Sequence, residues 1–371
     1  MSTFLFVTVD AGGNVPPAVE VGRVLLARGH RVRFLGHERQ RGTLTSAGFE
    51  FCAFRQLRYP DPTQAQPLYR SLAGFLHMAT HPGPGRDLVD VLAADPADVV
   101  VIDCMLLSVL AAAQQREQAH AVLFHTFYSY WESNFANGPV GTFARLKGLS
   151  ARTLWDRAGL RLVLADRKLD PAGHQHSGTP TWCGVTEHVP EDAGESRAGS
   201  AILVSLSTLW VSGQVAAYQR ILRALEDLPL NAVVTTGPSV DPADLVVPPN
   251  VEVLRCADHA RLMPRAAAIV THGGHSTTMR ALVHGLPLLL IPMHPFIDQS
   301  MVSQAVARAG AGIILSKKAA PDAIRDGLLH ITGDEGYRTA ARLLGARLRQ
   351  TPGATLAADH LLAFVQHHHS K

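Results

Sequence analysis

From Phe4 to Val9 the chain is an unbroken apolar run of strand-forming residues, followed by a Gly- and Pro-bearing turn from Ala11 to Pro17. Apolar positions then recur at helical spacing from Ala18 to Arg28, and Gly29-His30 ends that helix before a second strand-type run, Arg31 to Leu35. A strand, a crossover helix and a second strand in so short a stretch require parallel pairing, because two adjacent parallel strands cannot be joined by a tight turn. The rhythm returns at Asp98 to Ile102, Leu106 to Arg116 and Ala121 to His125. It restarts at Ile202 to Leu206 and continues through Val215–Leu225, Asn231–Thr235, Val251–Leu254, Ala268–Thr271, Thr277–Val283 and Leu288–Ile291. Between these halves, Glu187 to Gly199 is polar and rich in acids, Pro and Gly, as exposed linkers are. The pattern predicts an α/β protein of two Rossmann-like parallel-sheet domains, 1–190 and 200–371, facing each other across a cleft, with the last helix free to pack back on the first domain.

Composition narrows the function. Lys plus Arg number 34 against 31 Asp plus Glu, a net charge of +3, which lacks the basic stripe of a nucleic-acid binder. At 371 residues and 47% hydrophobic, the chain exceeds what one core usually fills. Cys52, Cys104, Cys183 and Cys256 are scattered without a CxxC, so a zinc ribbon and a dithiol redox pair are disfavoured and a reducing cytoplasm is expected. The opening MSTFLFVTVD has no basic n-region, and the longest apolar window, Val99 to Ala113, is broken by Asp103, so neither export nor membrane insertion is expected.

Two segments carry candidate chemistry. Thr271-His272-Gly273-Gly274-His275-Ser276-Thr277-Thr278 joins a strand to a helix, where unpaired N–H groups, glycines and hydroxyls together suit a phosphate; equally, Ser276 and Thr277 suit simple helix capping. Gly285 to Ile291 then leads into a Pro-rich loop ending in Asp298-Gln299, an acceptor beside a group that both donates and accepts, as sugar hydroxyls need, although Asp298 alone reads as a cap. No GxSxG elbow, no GxGxxG after the first strand and no GxxxxGK[ST] is present, against hydrolase, dehydrogenase and P-loop readings.

The span from about Arg255 to Leu315 resembles the donor-binding signature of family-1 nucleotide-sugar glycosyltransferases of the GT-B fold, bacterial natural-product type. The matching features are His259 before Leu-Met-Pro, His272-Gly-Gly, the hydroxyl pair, Gly285-Leu-Pro and Asp298-Gln299. Weaker similarity runs through Asn14-Val-Pro-Pro, Asp103, Ser205-Leu-Ser-Thr208 and Thr235-Thr-Gly237. The resemblance implies that His259 lies by the nucleobase and that His272, Gly273, Gly274, His275, Ser276 and Thr277 hold the diphosphate. Ser207 and Thr208 would approach the diphosphate from the other loop, and Asp298 with Gln299 would hold sugar hydroxyls. It further implies an inverting displacement of a UDP or TDP leaving group, helped by N–H groups and by His272 if that ring is protonated or donating. No cofactor and no metal is expected; the chain has no DxD motif.

The acceptor side departs from that family. Where many members place a His base, this chain has Asn14, which cannot take a proton at neutral pH. Asp103 matches the usual partner carboxylate and is a candidate base or a cap, with His125 and Asp10 in reserve. Arg280 stands where relatives often carry a ribose-binding carboxylate, which tilts the donor toward a thymidine-linked deoxysugar, unless Arg280 is merely a solvated helix residue. His125, Phe127, Tyr128 and Trp131, with Tyr130 and Phe135 nearby, are candidate acceptor contacts or core residues. His174 and His176 lack a third ligand for a metal, and His367 to His369 carries no role. The expectation is a cytoplasmic glycosyltransferase of antibiotic biosynthesis, moving a deoxysugar to a small lipophilic acceptor, with no nucleic-acid partner and self-association as a homodimer left open. Its rivals are a nucleotide-sugar epimerase and a catalytically silent helper protein.

Overall fold

The computed structural model describes residues 1–57, 61–176, 178–189 and 201–369. Contacts divide it into a first unit of Met1–Asp61, Gln66–Thr186 and Thr351–Lys371, and a second of Pro62–Ala65 and Glu187–Gln350. The stretch from Thr351 on falls with the first unit; the sequence boundaries place it in 200–371, with the last helix free to pack back on the first domain. The expected linker lies, from residue 190 to its end, outside the described residues.

The first unit holds a seven-stranded sheet of β1 (Thr3–Val7), β2 (Arg31–Gly36), β3 (Glu50–Ala53), β4 (Val99–Asp103), β5 (His120–Phe124), β6 (Leu160–Val163) and β7 (Thr181–Trp182). Its order is β3-β2-β1-β4-β5-β6-β7, and its adjacent strands pair in parallel. Strands buried on both faces read as continuous apolar runs, which is why β1, β4 and β5 stand out in the sequence. The helix Val15–Ala27 covers the sheet with Ala18, Val21, Gly22 and Leu25, and the C-terminal helix Gly353–His369 packs against it through Ala357, Ala358, Leu361 and Val365.

The second unit holds β8 (Ala201–Ser205), β9 (Asn231–Thr235), β10 (Val251–Leu254), β11 (Ala266–Thr271), β12 (Leu288–Leu290) and β13 (Gly312–Ile314), ordered β10-β9-β8-β11-β12-β13 and again parallel. Its core is built on Ile202, Val204, Tyr218, Ile221, Val234 and Val270. Each sheet has one place where the chain reverses its direction of advance: between β1 and β4 in the first unit, between β8 and β11 in the second. Loops leaving the carboxyl ends of such strand pairs diverge, and ligands of open parallel sheets settle there. Among the described residues no helix is long and apolar enough to cross a membrane.

Candidate functional site

In the first unit, the reversal point brings together Asn14, from the loop after β1, and Asp103, the last residue of β4. Asn is a favoured helix N-cap because its side chain accepts from the second or third N–H of the helix. Here those positions are Pro16 and Pro17, which have no N–H, so the Asn14 amide is released from capping and turns to the sheet. Its Nδ2 donates to Val9 O (2.7 Å) and to Asp103 Oδ2 (2.8 Å), and its Oδ1 accepts from Ala11 N (3.2 Å). The other carboxylate oxygen, Asp103 Oδ1, accepts from Met105 N at 3.0 Å, and the Cys104 thiol also bonds the carboxylate. Asp103 therefore caps the turn after β4 and holds Asn14 at once, while the next helix starts at Leu107 without a side-chain cap.

Burial dominates the electrostatics. Asp103 is 5% exposed and its carboxyl is pushed up to about 6 by desolvation, against the opposing hydrogen bonds of Met105, Asn14 and Cys104. Burial pushes the Cys104 thiol well up as well, and a protonated thiol is a poor metal ligand. His125, just past β5, is pushed down to about 3 by burial, so its ring is neutral; Nδ1 lies 3.6 Å from Asp103 Oδ2. The Asp103, Cys104 and His125 heteroatoms lie within 4.8 Å of one another, the single such trio among the described residues. Asp10, the other reserve base, is engaged elsewhere: its carboxylate pairs with Arg39 and its N–H donates to His37.

The aromatic residues that read as acceptor contacts or core are interior. Phe127, Tyr128 and Trp131 are buried, and Tyr128 and Trp131 pack edge-on against neighbours, Tyr128 on Phe124 and Trp131 on His125 and Phe135. The cause is Asp170, whose fully buried carboxylate accepts from Tyr128 N (2.6 Å), Ser129 N (3.2 Å) and Trp182 Nε1 (2.9 Å) and draws that helix start inward. His176 pairs with Glu132.

In the second unit, the reversal point places the loop after β8 beside the loop after β11. The helix His275–Val283 starts at Gly274, which has no side chain to cap it, so neither Ser276 nor Thr277 stands at the cap position. Both glycines are required. Gly273 has φ +80, and a Cβ there would strike Ser303 Oγ; a Cβ on Gly274 would overlap the His272 ring. Burial pushes His272 down to about 4, and its ring bonds the Ser205 backbone.

Gln299 opens the following helix, Gln299–Arg308, and is fully buried. Its Oε1 already accepts from Met293 N (2.7 Å) and His294 N (2.9 Å), which shapes the Pro-rich loop, so just its amide donor is free for a ligand. Gln299 Nε2, Ser303 Oγ and Thr278 Oγ1 are buried without hydrogen-bond partners. Asp298 makes no capping bond, against the cap reading. Ser207 accepts from Leu209 N at 3.1 Å, Thr208 is exposed, and half-buried His259 meets Thr235 Oγ1 at 3.0 Å. Arg280 is half-buried, and after burial its charge is the next cause that lowers His259 and His284.

Ser303 and the site role of Cys104 escaped the sequence reading, whereas Thr278 lay within the candidate phosphate segment. Ser303 had one signal: it stands four residues after Gln299, on the same helix face. Cys104 had none, since its meeting with His125 depends on the pairing of β4 with β5.

Two parallel six- and seven-stranded units with these switch-point sites define a GT-B fold. Residues 219–364 match the family described as Erythromycin biosynthesis protein CIII-like, C-terminal domain. The chain is thus similar to glycosyltransferases of antibiotic and other natural-product biosynthesis, and shares their fold. An uncharacterized glycosyltransferase of Methanosarcina acetivorans is 24% identical over 93% of both chains. The calicheamicin glycosyltransferase CalG4 superposes with a TM-score of 0.80 at 22% identity, over 99% of this chain and 98% of that one. The spinosyn rhamnosyltransferase SpnG, complexed with thymidine diphosphate, gives 0.72 at 17% identity, over 97% of this chain and 100% of its own.

Proposed function

We propose that the protein transfers a deoxysugar, with inversion, from a thymidine diphosphate donor to a hydroxyl of a small lipophilic acceptor. One observation carries the reading: an uncapped helix start beside two obligatory glycines and three buried donors without partners, Gln299 Nε2, Ser303 Oγ and Thr278 Oγ1. A buried donor left unsatisfied costs about 1–3 kcal/mol, which a bound diphosphate sugar would recover. N–H groups fixed in advance stabilise charge as it builds on the departing diphosphate, the service a metal gives in other transferases. Positively charged Arg280 in place of a ribose-binding carboxylate, and the thymidine diphosphate held by SpnG, favour a deoxyribonucleotide. Arg280 cannot accept the hydrogen bonds of a ribose diol. On the acceptor side, the proton passes to the buried cluster around Asp103.

Calorimetric titration with thymidine diphosphate tests the donor site. Wild type should bind it more tightly than uridine diphosphate, and Gly274→Ala, which displaces the His272 ring, should weaken binding about tenfold, or 1.4 kcal/mol. Equal affinity in the variant would remove the assignment. With labelled nucleotide sugars, diphosphate release that needs an acceptor supports transfer, whereas isomerisation without one would mean an epimerase.

A further inference from the structure

With Asn14 in the first loop, the acceptor hydroxyl has no base at the position where a His would stand. Asp103 is badly placed to act directly. Oδ1 already accepts from Met105 N and Oδ2 from Asn14 Nδ2, and at 5% exposure the carboxylate offers its remaining lone pairs to buried neighbours rather than to a substrate hydroxyl. His125 offers what Asp103 cannot. It follows β5, the sheet neighbour of β4, where Asp103 pairs with Leu123. Its Nδ1 is buried without a hydrogen bond and faces Asp103 Oδ2 at 3.6 Å, and its side chain keeps 14% exposure. The edge-on Trp131 ring, 5.0 Å between centroids, fixes the imidazole plane.

We propose that His125 is the general base of the transfer, oriented by Asp103, with Asn14 as the strut that holds Asp103 in place. The proposal rests on the transferase reading above. A neutral imidazole carries one N–H, and the group beside one nitrogen decides where it sits. A carboxylate facing Nδ1 draws the N–H there and leaves the Nε2 lone pair to receive a proton. The acceptor O–H gives its proton to Nε2 as its oxygen bonds the anomeric carbon. The bond from that carbon to the diphosphate breaks, and the electron pair leaves with the diphosphate. The imidazolium so formed is compensated by Asp103 and then loses its proton to water. Contacts of this kind are often long without substrate and shorten in the reacting complex. Burial lowers the proton affinity of the ring, so the role depends on the Asp103 carboxylate 3.6 Å away to stabilise the imidazolium as it forms. The titratable groups that face the ring are Asp103 and, bonded to it, Cys104.

Two measurements test this. Nitrogen-15 histidine NMR of the full chain should show His125 with its proton on Nδ1, and Asp103→Asn should return it toward the common Nε2–H form. A wild-type Nε2–H form would overturn the dyad without any assay of turnover. In kinetics, His125→Gln should lower kcat at least 100-fold for alkyl alcohols but less than tenfold for acidic phenols. Donor and acceptor KM should stay within threefold. A merely packing role would raise acceptor KM and cost all acceptors alike, and that result would overturn the proposal. So would alcohol turnover within threefold of wild type. If wild type released no diphosphate with any acceptor, the transferase reading would fall and take this inference with it.

Discussion

Folding takes the Asp103 carboxyl out of water, and the acidity of the protein's interior can be read from that single group. Its folded pKa, about 6, lies above the ordinary 3.8. The native state therefore binds its proton more tightly than the unfolded chain does. Stability from this source is complete below the ordinary value and is lost as pH rises through about 6. A shift of roughly two units corresponds to about 3 kcal/mol. His37, His125, His272 and His284, whose pKa values are lowered by burial, act in the opposite direction and lose stability as pH falls. A comparison with Asp103→Asn isolates the carboxyl. Denaturant unfolding at pH 4 and pH 7.5 should show wild type losing ground to the variant by up to about 3 kcal/mol on going to the higher pH, and a constant difference would show the carboxyl to be unperturbed. At this scale the sequence was partly legible. The obligatory nature of Gly273 and Gly274 and the amide at position 14 were visible as departures and motifs. The role of Gln299 as a loop brace was not, because it depends on Met293 and His294 turning their N–H groups onto one oxygen.

Among the elements, the C-terminal helix Gly353–His369 shows how a distant segment completes a core. Leu361 is fully buried with Ala357 and Ala358, beside Leu25 and Val21 of the first helix, and Arg28 adds an exposed ion pair to Asp359 at 2.6 Å. Such exposed pairs contribute little, whereas removing a buried leucine side chain leaves a cavity. Leu361→Ala should cost about 2–5 kcal/mol in chemical denaturation, against under 1 kcal/mol for Asp359→Ala. A small effect at Leu361 would mean that the helix is not part of the core. Strands β1, β4, β5, β8, β9 and β11 were predictable because doubly buried strands form apolar runs bounded by turns. The edge strands β3 and β7, and the short β6 beside β7, were not, since Glu50–Ala53 and Thr181–Trp182 carry no such run. Nor could the pairing of the last helix with the first be read from periodicity, which reports that a face is apolar and not what covers it.

For the molecule as a whole, two separate hydrophobic clusters mean that ligand and fold are coupled unit by unit. Thymidine diphosphate at a hundredfold excess over its Kd should stabilise the second unit by about 2.7 kcal/mol. In a calorimetric scan, the transition of that unit should move to higher temperature with ligand, and in Gly274→Ala, at about ten times its weakened Kd, the shift should fall to about half. A ligand that left every transition in place would argue against the His272 to Thr277 segment as its site. The doubly parallel architecture was legible from the alternation of strand and helix. The two reversal points were not, because strand order follows from packing, and yet they fix which loops come together.

The proline pair at the start of the first helix has an evolutionary consequence. By removing the two N–H groups that an N-cap serves, Pro16 and Pro17 allowed position 14 to become a threefold tether, and a tether is hard to trade back. An imidazole at that position could not keep the ties to Val9, Ala11 and Asp103 together. A lone Asn14→His exchange would therefore loosen the acid before supplying a new base, so a working histidine at position 14 calls for companion changes around the bend that the two proline rings set.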